Sequence, residues 1–213
     1  MVASSNSRLR SVVSDTRLVA IIRGQDVDAT VRSAKLLFDC GIRVLEVTLT
    51  LPNAEEAIRQ ISSFVPEGAV LGAGTVLSEA QVDQAVTAGA TFIVTPGISP
   101  SVGYAAANNL GVLAGAYTPT EIFQAIDLGV AAVKLFPAST LGPAYVKAVL
   151  EPLPDVAIIP VGGITTDVIP GYFAAGAAAV GVGGPLIGRA AQQGGDIEGL
   201  AQRASDFLRA VAR

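Results

Sequence analysis

The chain has 213 residues, 51% of them apolar and 15% charged, with a formal net charge of −4. That is material for one large core, and the acidic balance, with no basic block of about five or more, excludes a typical nucleic-acid binder. Histidine is absent, which removes Ser-His and Cys-His nucleophilic pairs and every His-ligated metal site.

The rest of the composition narrows the class further. Cys40 is the only cysteine, so no internal disulfide forms, and a reducing cytoplasm is the expected compartment. The opening run Met1-Val2-Ala3-Ser4-Ser5-Asn6-Ser7 lacks the apolar stretch of a secretory signal. Glycine, proline or charge interrupts every apolar run before it reaches a membrane span. No carboxylates stand at metal-ligand spacing. Neither a metal nor a cofactor is expected, and acid–base work falls to carboxylates, lysine, tyrosine or water.

In chain order, short β-branched runs alternate with segments of helical period. The spacing predicts a strand over Leu18–Arg23 and a helix over 26–40, then Val44–Thr50 with 53–64, and Val70–Thr75 with 78–88. Phe92–Pro96 with 100–109, Val112–Tyr117 with 119–128 and Ala132–Pro137 with 143–150 follow. Ala157–Gly162 with 166–175 and Ala179–Gly183 with 196–212 complete the set. Gly41, Gly89, Gly129 and Gly176 each stand just past a helix end, where glycine turns the chain cheaply into the next strand. Ser78, Thr120 and Thr166 are the candidate N-caps. The last helix places Ile197, Leu200, Ala204, Leu208 and Val211 on one face.

Strands alternating with helices imply a parallel sheet with right-handed crossovers. Eight regular units favour closure into a single (β/α)8 TIM barrel over an open doubly wound sheet. Residues 1–213 are expected to form this one domain, with a short polar N-terminal extension. No Gly-x-Gly-x-x-Gly opens the first unit, so nothing supports a dinucleotide site.

One residue stands out against this pattern. Lys134, one of only three lysines, interrupts the apolar run Val130-Ala131-Ala132-Val133-Lys134-Leu135-Phe136-Pro137. An ammonium buried without a partner costs several kcal/mol, and such a group tends to give up its proton. A neutral amine is a nucleophile, which points to Schiff-base chemistry on a carbonyl. The bland alternative is a lysine that reaches the strand end or pairs with a buried carboxylate.

Period two supplies companions. In Val44-Leu45-Glu46-Val47-Thr48-Leu49-Thr50 the even residues are polar and the odd ones apolar, so Glu46 is expected to point into the barrel. Arg23 ends the first strand, Gly72-Ala73-Gly74-Thr75 the third, and Phe136 shares the face of Lys134. These are C-terminal strand positions, where barrel enzymes place their sites. A buried ion-pair network is the structural alternative for Arg23, Glu46 and Lys134. As a set with Thr75 they make a chemical kit: a nucleophile, a proton carrier and a forked carboxylate holder. The turns Val161-Gly162-Gly163-Ile164-Thr165 and Val180-Gly181-Val182-Gly183-Gly184-Pro185 follow strands seven and eight, where barrels commonly hold phosphate. The alternative there is plain tight turns.

With these residues in view, the chain resembles the family of 2-keto-3-deoxy-6-phosphogluconate (KDPG) and 4-hydroxy-2-oxoglutarate (KHG) aldolases, which are class I aldolases. The resemblance spans roughly residues 18–190. Leu45-Glu46-Val47-Thr48, Gly72-Ala73-Gly74-Thr75-Val76, Ile93-Val94-Thr95-Pro96-Gly97, Val133-Lys134-Leu135-Phe136-Pro137 and Pro160-Val161-Gly162-Gly163-Ile164 carry it. It implies that Lys134 forms an imine with a keto acid while Glu46 shuttles protons. It also implies that Thr75 and Arg23 hold the carboxylate, that Pro96 and Phe136 shape the pocket, and that Gly162, Gly163 and Gly183 offer backbone donors to phosphate. A small-molecule keto acid as substrate, no cofactor and a homotrimer are further implications.

Two positions depart from the family pattern. Thr50 stands where some members carry an arginine, and Gly183-Gly184-Pro185 lacks the serine often given to the phosphate. Thr140-Leu141-Gly142-Pro143 looks like the 6-phosphogalactonate branch, which leaves the C4 configuration open. The expected reaction is reversible cleavage of a 2-keto-3-deoxy-6-phospho sugar acid to pyruvate and an aldehyde such as glyceraldehyde 3-phosphate. Its rivals are a phosphosugar isomerase or epimerase, and a silent sugar-phosphate-binding barrel.

Overall fold

The first element of the structure, a computed structural model that describes residues 5–212, lies outside the strand–helix alternation. Ser5–Thr16 forms a helix, α1, whose Leu9 and Val13 are buried and whose other residues are mostly polar. The expected extension therefore falls partly on this helix, and its first four residues lie outside the described ones. Asn6 fixes the helix from both ends of its side chain, donating to Gly129 O at 2.7 Å and accepting from Val112 N at 3.0 Å. Arg10 donates to Asp155 O at 2.8 Å. These partners precede or begin strands, so α1 floors the N-terminal end of the barrel.

Eight strands follow: Leu18–Ile22 (β1), Val44–Thr48 (β2), Val70–Gly74 (β3), Phe92–Val94 (β4), Gly111–Ala116 (β5), Ala132–Leu135 (β6), Ile158–Pro160 (β7) and Val180–Val182 (β8). All neighbours pair in parallel in the order β7-β6-β5-β4-β3-β2-β1-β8, and a bridge between Val161 and Gly181 joins the two ends. The molecule is a single (β/α)8 barrel. Between strands run Val27–Asp39 (α2), Ala54–Ser62 (α3), Glu79–Ala88 (α4), Pro100–Ala107 (α5), Pro119–Asp127 (α6), Gly142–Leu150 (α7) and Ile169–Ala174 (α8). Gly184–Ile187 (α9) is one turn long, and Ile197–Val211 (α10) closes the outer wall with Leu200, Ala204, Phe207 and Val211 buried.

Two apolar layers result. Leu45, Val47, Leu71, Ala73, Val133 and Leu135 face the helices and meet Leu37, Ile58, Val146 and their neighbours. Val19, Ile21, Val44, Val70, Phe92, Leu113 and Ile159 face inward and pack with Leu9 and Val13 of α1. Inward parity thus assigns Glu46, Gly72, Gly74, Gly115 and Lys134 to the interior by the strand alternation alone.

Helix ends follow local chemistry. Gly41, Gly89, Gly129 and Gly176 all take positive φ past their helices. Ser78 caps α4 in a reciprocal capping box with Gln81. The other two caps differ from expectation. Pro119 occupies the first position of α6, so Thr118 is its cap and Glu121 completes the box, which leaves Thr120 inside the helix. Pro170 takes the second position of α8, which starts at Ile169 after Val168 rather than at Thr166 and has no side-chain cap.

Candidate active site

Each strand ends one or two residues earlier than its predicted span, and the residues released include several of those expected at the site. Arg23 follows β1, Thr75 follows β3, and Phe136 follows β6, each just past the last ladder position at the C-terminal mouth. Beneath them lie Glu46 and Lys134, 1% and 4% exposed. Glu46 pairs in register with Ile21 on one side and Gly72 on the other, while Lys134 pairs with Gly115 and Ile159.

Glu46 is a carboxyl group held away from water. Both carboxylate oxygens are buried and neither has a hydrogen-bond partner in the protein. Burial pushes its carboxyl above the ordinary value, and the positive charges of Lys134 and Arg23 pull part of the way back. The salt bridges among the described residues all lie on the outer surface and include neither Glu46 nor Lys134. A buried ion-pair network, the structural alternative for these groups, is therefore not what the fold builds.

Lys134 has its amine 5.3 Å from the centroid of the Phe136 ring. On the neighbouring rung, glycine at 115 lets another segment close in: a Cβ there would overlap the backbone of Pro96 and Gly97. Thr95, fully buried, makes this approach possible. Its hydroxyl accepts from Gly115 N–H at 3.1 Å where a ladder carbonyl would otherwise stand, so the chain at Pro96 can leave β4 and fold over β5. Sequence reading took Thr95 only as part of a motif; a threonine before Pro-Gly at the end of an apolar strand is the signal.

Arg23, expected as the last residue of the first strand, falls one position beyond it. Its strand ends at Ile22, and the guanidinium stands exposed on the rim. There it lines a cavity of about 120 Å³ with Phe136, Val161, Gly162, Gly163, Gly183, Gly184 and Pro185. The two glycine turns are thus brought together beside a cation, with Gly162 and Gly163 both at positive φ, 101° and 72°. A larger cavity of about 450 Å³ is lined by Thr165, Arg203, Phe207 and others, and by no inward-facing strand residue.

Thr75 is partly buried and takes φ 60°, a left-handed conformation that costs a β-branched residue roughly 1–3 kcal/mol. Pro96 is partly buried at the same mouth. Thr48 is buried and its hydroxyl lies 2.8 Å from that of Thr50, which turns outward past the strand end. Among the described residues no group of three or more Cys, Asp or Glu side chains is placed to hold a metal ion. The arrangement is a buried amine and a buried carboxylate under a rim that offers cationic and backbone N–H donors. Such a set can add to a carbonyl, pass protons and seat an anion.

The profile of the family described as "KDPG and KHG aldolase" matches residues 9–202. The chain belongs to that family. It is an aldolase, and hence a lyase. The 2-dehydro-3-deoxy-6-phosphogalactonate aldolase of Escherichia coli K12 is 36% identical over 195 residues, covering 91% of this chain and 93% of its own. A solved structure described as "Native KDPGal structure" superposes with a TM-score of 0.85 at 35% identity, covering 91% of this chain and 93% of the other. The KDPG aldolase of Legionella pneumophila, solved with pyruvate captured as a covalent carbinolamine intermediate, gives a TM-score of 0.78 at 26% identity over 95% of each chain. No helix among the described residues is long and apolar enough to cross a membrane.

Proposed function

We propose that this aldolase cleaves a 2-keto-3-deoxy-6-phospho sugar acid, reversibly, into pyruvate and an aldehyde such as glyceraldehyde 3-phosphate, through an imine on Lys134. The observation that carries the reading is a lysine 4% exposed inside the barrel with no carboxylate bound to it. The pyruvate carbinolamine seen in the Legionella relative supports the same chemistry.

In this reading the Lys134 amine adds to the C2 carbonyl, and loss of water leaves a protonated imine. Glu46, directly or through water, takes the proton of the C4 hydroxyl as the C3–C4 bond breaks. The bond's electrons pass into the imine, forming an enamine, and the aldehyde leaves. Protonation at C3 and hydrolysis then return pyruvate and the free amine. The imine nitrogen is the electron sink, so the scheme needs no cofactor.

Anchoring follows the strand order. Arg23, Glu46 and Thr75 come from β1, β2 and β3, adjacent strands, so the carboxylate is assigned to Arg23 and Thr75 on either side of Glu46. Phosphate is assigned to the N–H groups of Gly162, Gly163 and Gly183 on the neighbouring β7 and β8 turns. Phe136 and Pro96 flank the imine.

A homotrimer is proposed for the assembled enzyme. Leu77, Val86, Phe123, Ile126 and Leu128 are exposed apolar side chains on α4, α6 and the segments beside them, with Phe123 52% exposed. Light scattering of the wild type and of Phe123→Asp tests it, with a fall in mass expected for the variant. Cytoplasm is the proposed compartment, which the single, unpaired Cys40 favours.

The reaction itself is tested by borohydride reduction with pyruvate, peptide mass spectrometry, and turnover of both gluconate- and galactonate-configured donors. A pyruvate-derived adduct on Lys134 that Lys134→Ala loses, together with retro-aldol turnover, is expected. Turnover without an adduct, or undiminished in Lys134→Ala, would remove the imine.

A further inference from the structure

We propose that Arg203, on α10 outside the barrel, is a positioning residue that sets the Gly183-Gly184 turn for the substrate's phosphate by clamping α9 from behind. The proposal rests on the assignment of phosphate to that turn.

α9 is a helix of four residues, far too short to hold its own geometry. Its front end carries Gly183, Gly184 and Pro185 onto the rim cavity. Its rear carbonyls belong to Arg203: Nε donates to Leu186 O at 2.7 Å and Nη2 to Ile187 O at 3.0 Å. The third edge of the guanidinium, Nη1, reaches Asp196 Oδ2 at 3.2 Å. Asp196 uses its other oxygen to cap α10 through Gly199 N at 2.8 Å. A planar fork with all three nitrogens committed fixes α9 in orientation as well as position.

The seat for this fork is made by missing side chains. A Cβ on Gly188, where φ is +55°, would stand 3.0 Å from Nη2, and one on Gly199 would stand 2.7 Å from Nη1. The Asp196 contact, a partly solvated pair, adds little stability by itself, but it holds the third edge of the fork and so sets the angle at which the fork meets α9. The two carbonyl contacts are what bear on α9. Without them the turn can rock, and its N–H groups lose their aim at an anion, while Lys134 and Glu46, on β6 and β2, keep their places.

The test compares wild type, Arg203→Lys and Asp196→Asn as full chains. Each is given a 6-phosphorylated donor, its unphosphorylated analogue, and pyruvate with borohydride. Lysine keeps the charge and loses the fork. Arg203→Lys is expected to raise KM for the phosphorylated donor about tenfold. Turnover at saturation, kinetics with the unphosphorylated analogue and the pyruvate adduct on Lys134 should stay as in wild type. Asp196→Asn, which can still cap α10, should shift the same KM in the same direction by a smaller factor. Equal changes for both donors, or no change in KM, would overturn the role of Arg203. A wild type indifferent to phosphate would instead overturn the phosphate assignment. Should Arg203→Lys fail to form the pyruvate adduct, Asp196→Asn decides: an unmoved KM there refutes the clamp, and a phosphate-selective rise upholds it.

Discussion

Gly74 and Glu46 occupy one space. A Cβ on Gly74 would overlap Glu46 Oε1, Cδ and Cγ, so the buried carboxylate lies flat on the bare backbone of β3. The register places Gly74 beside Thr48 and Gly72 beside Glu46, so the side chain reaches one step further towards the mouth than its own rung. A glycine here positions the proposed proton carrier by leaving room for it.

Gly74→Ala should therefore displace the carboxylate while leaving the barrel folded, because the clash is with a side chain rather than with backbone. Turnover is expected to fall about 10²-fold or more, the range in which general acid–base help is counted. Steady-state kinetics with circular dichroism as the fold control checks it. A near-normal rate would mean that Glu46 acts from another position.

Burial holds the Glu46 proton on to higher pH than an exposed carboxyl would. For cleavage the group must be ionised, so the acid limb of kcat/KM should lie above the ordinary glutamate value of about 4.3, and Glu46→Gln should lose that limb. Stability moves the other way. Below the unfolded pKa both states are protonated and Glu46 costs nothing. As pH rises past it the unfolded chain ionises first, so stability falls until the raised folded value is passed, and the cost then persists. Glu46→Gln should match wild type in urea unfolding near about pH 4 and exceed it near about pH 8. A variant less stable than wild type at the higher pH would contradict the burial effect.

Much of this was legible in the chain. The alternation in Val44–Thr50 put Glu46 inside, and the apolar run around Lys134 marked it as buried, because strand parity depends only on neighbouring residues. Strand ends lie earlier than the pattern predicts for a local reason: Thr75 and Phe136 continue the β-branched or apolar pattern and Arg23 follows it directly, but all three leave the ladder to form the mouth. What stayed hidden depends on partners far along the chain. The floor helix α1 is polar except for Leu9, Val12 and Val13, whose partners are scattered along the chain from Val19 to Ala179. Arg203 looks like any arginine on an amphipathic helix until Leu186 and Ile187 are brought beneath it. The left-handed φ of Thr75 has no sequence mark, since threonine rarely adopts it.

Thr75→Gly separates that conformation from its use. Glycine takes φ 60° freely, so the folded state should recover roughly 1–3 kcal/mol of strain, less the roughly 0.4–1 kcal/mol lost to the greater entropy of the unfolded chain. The hydroxyl is lost at the same time, so the KM for the keto acid should rise. Denaturant midpoints and KM measured on one preparation check the pair. A less stable variant with unchanged KM would show that Thr75 serves the fold alone.

Leu9→Ala tests the floor. Leu9 is 2% exposed and packs with the inward face of the strands, and it stands where a Cβ on Gly111 would meet it at 2.9 Å. Truncating a buried leucine costs about 2–5 kcal/mol, more where the gap cannot collapse, and a ring of strands holds its gap open. The groups proposed to act on the substrate stand towards the opposite end of the barrel, so kcat and KM below the melting transition should stay within about twofold of wild type, as additivity between distant sites leads one to expect. Thermal unfolding and kinetics at low temperature read the two effects apart. Loss of activity in a still-folded protein would mean that α1 communicates with Lys134 through the barrel interior, and that the floor belongs to the site as well as to the fold.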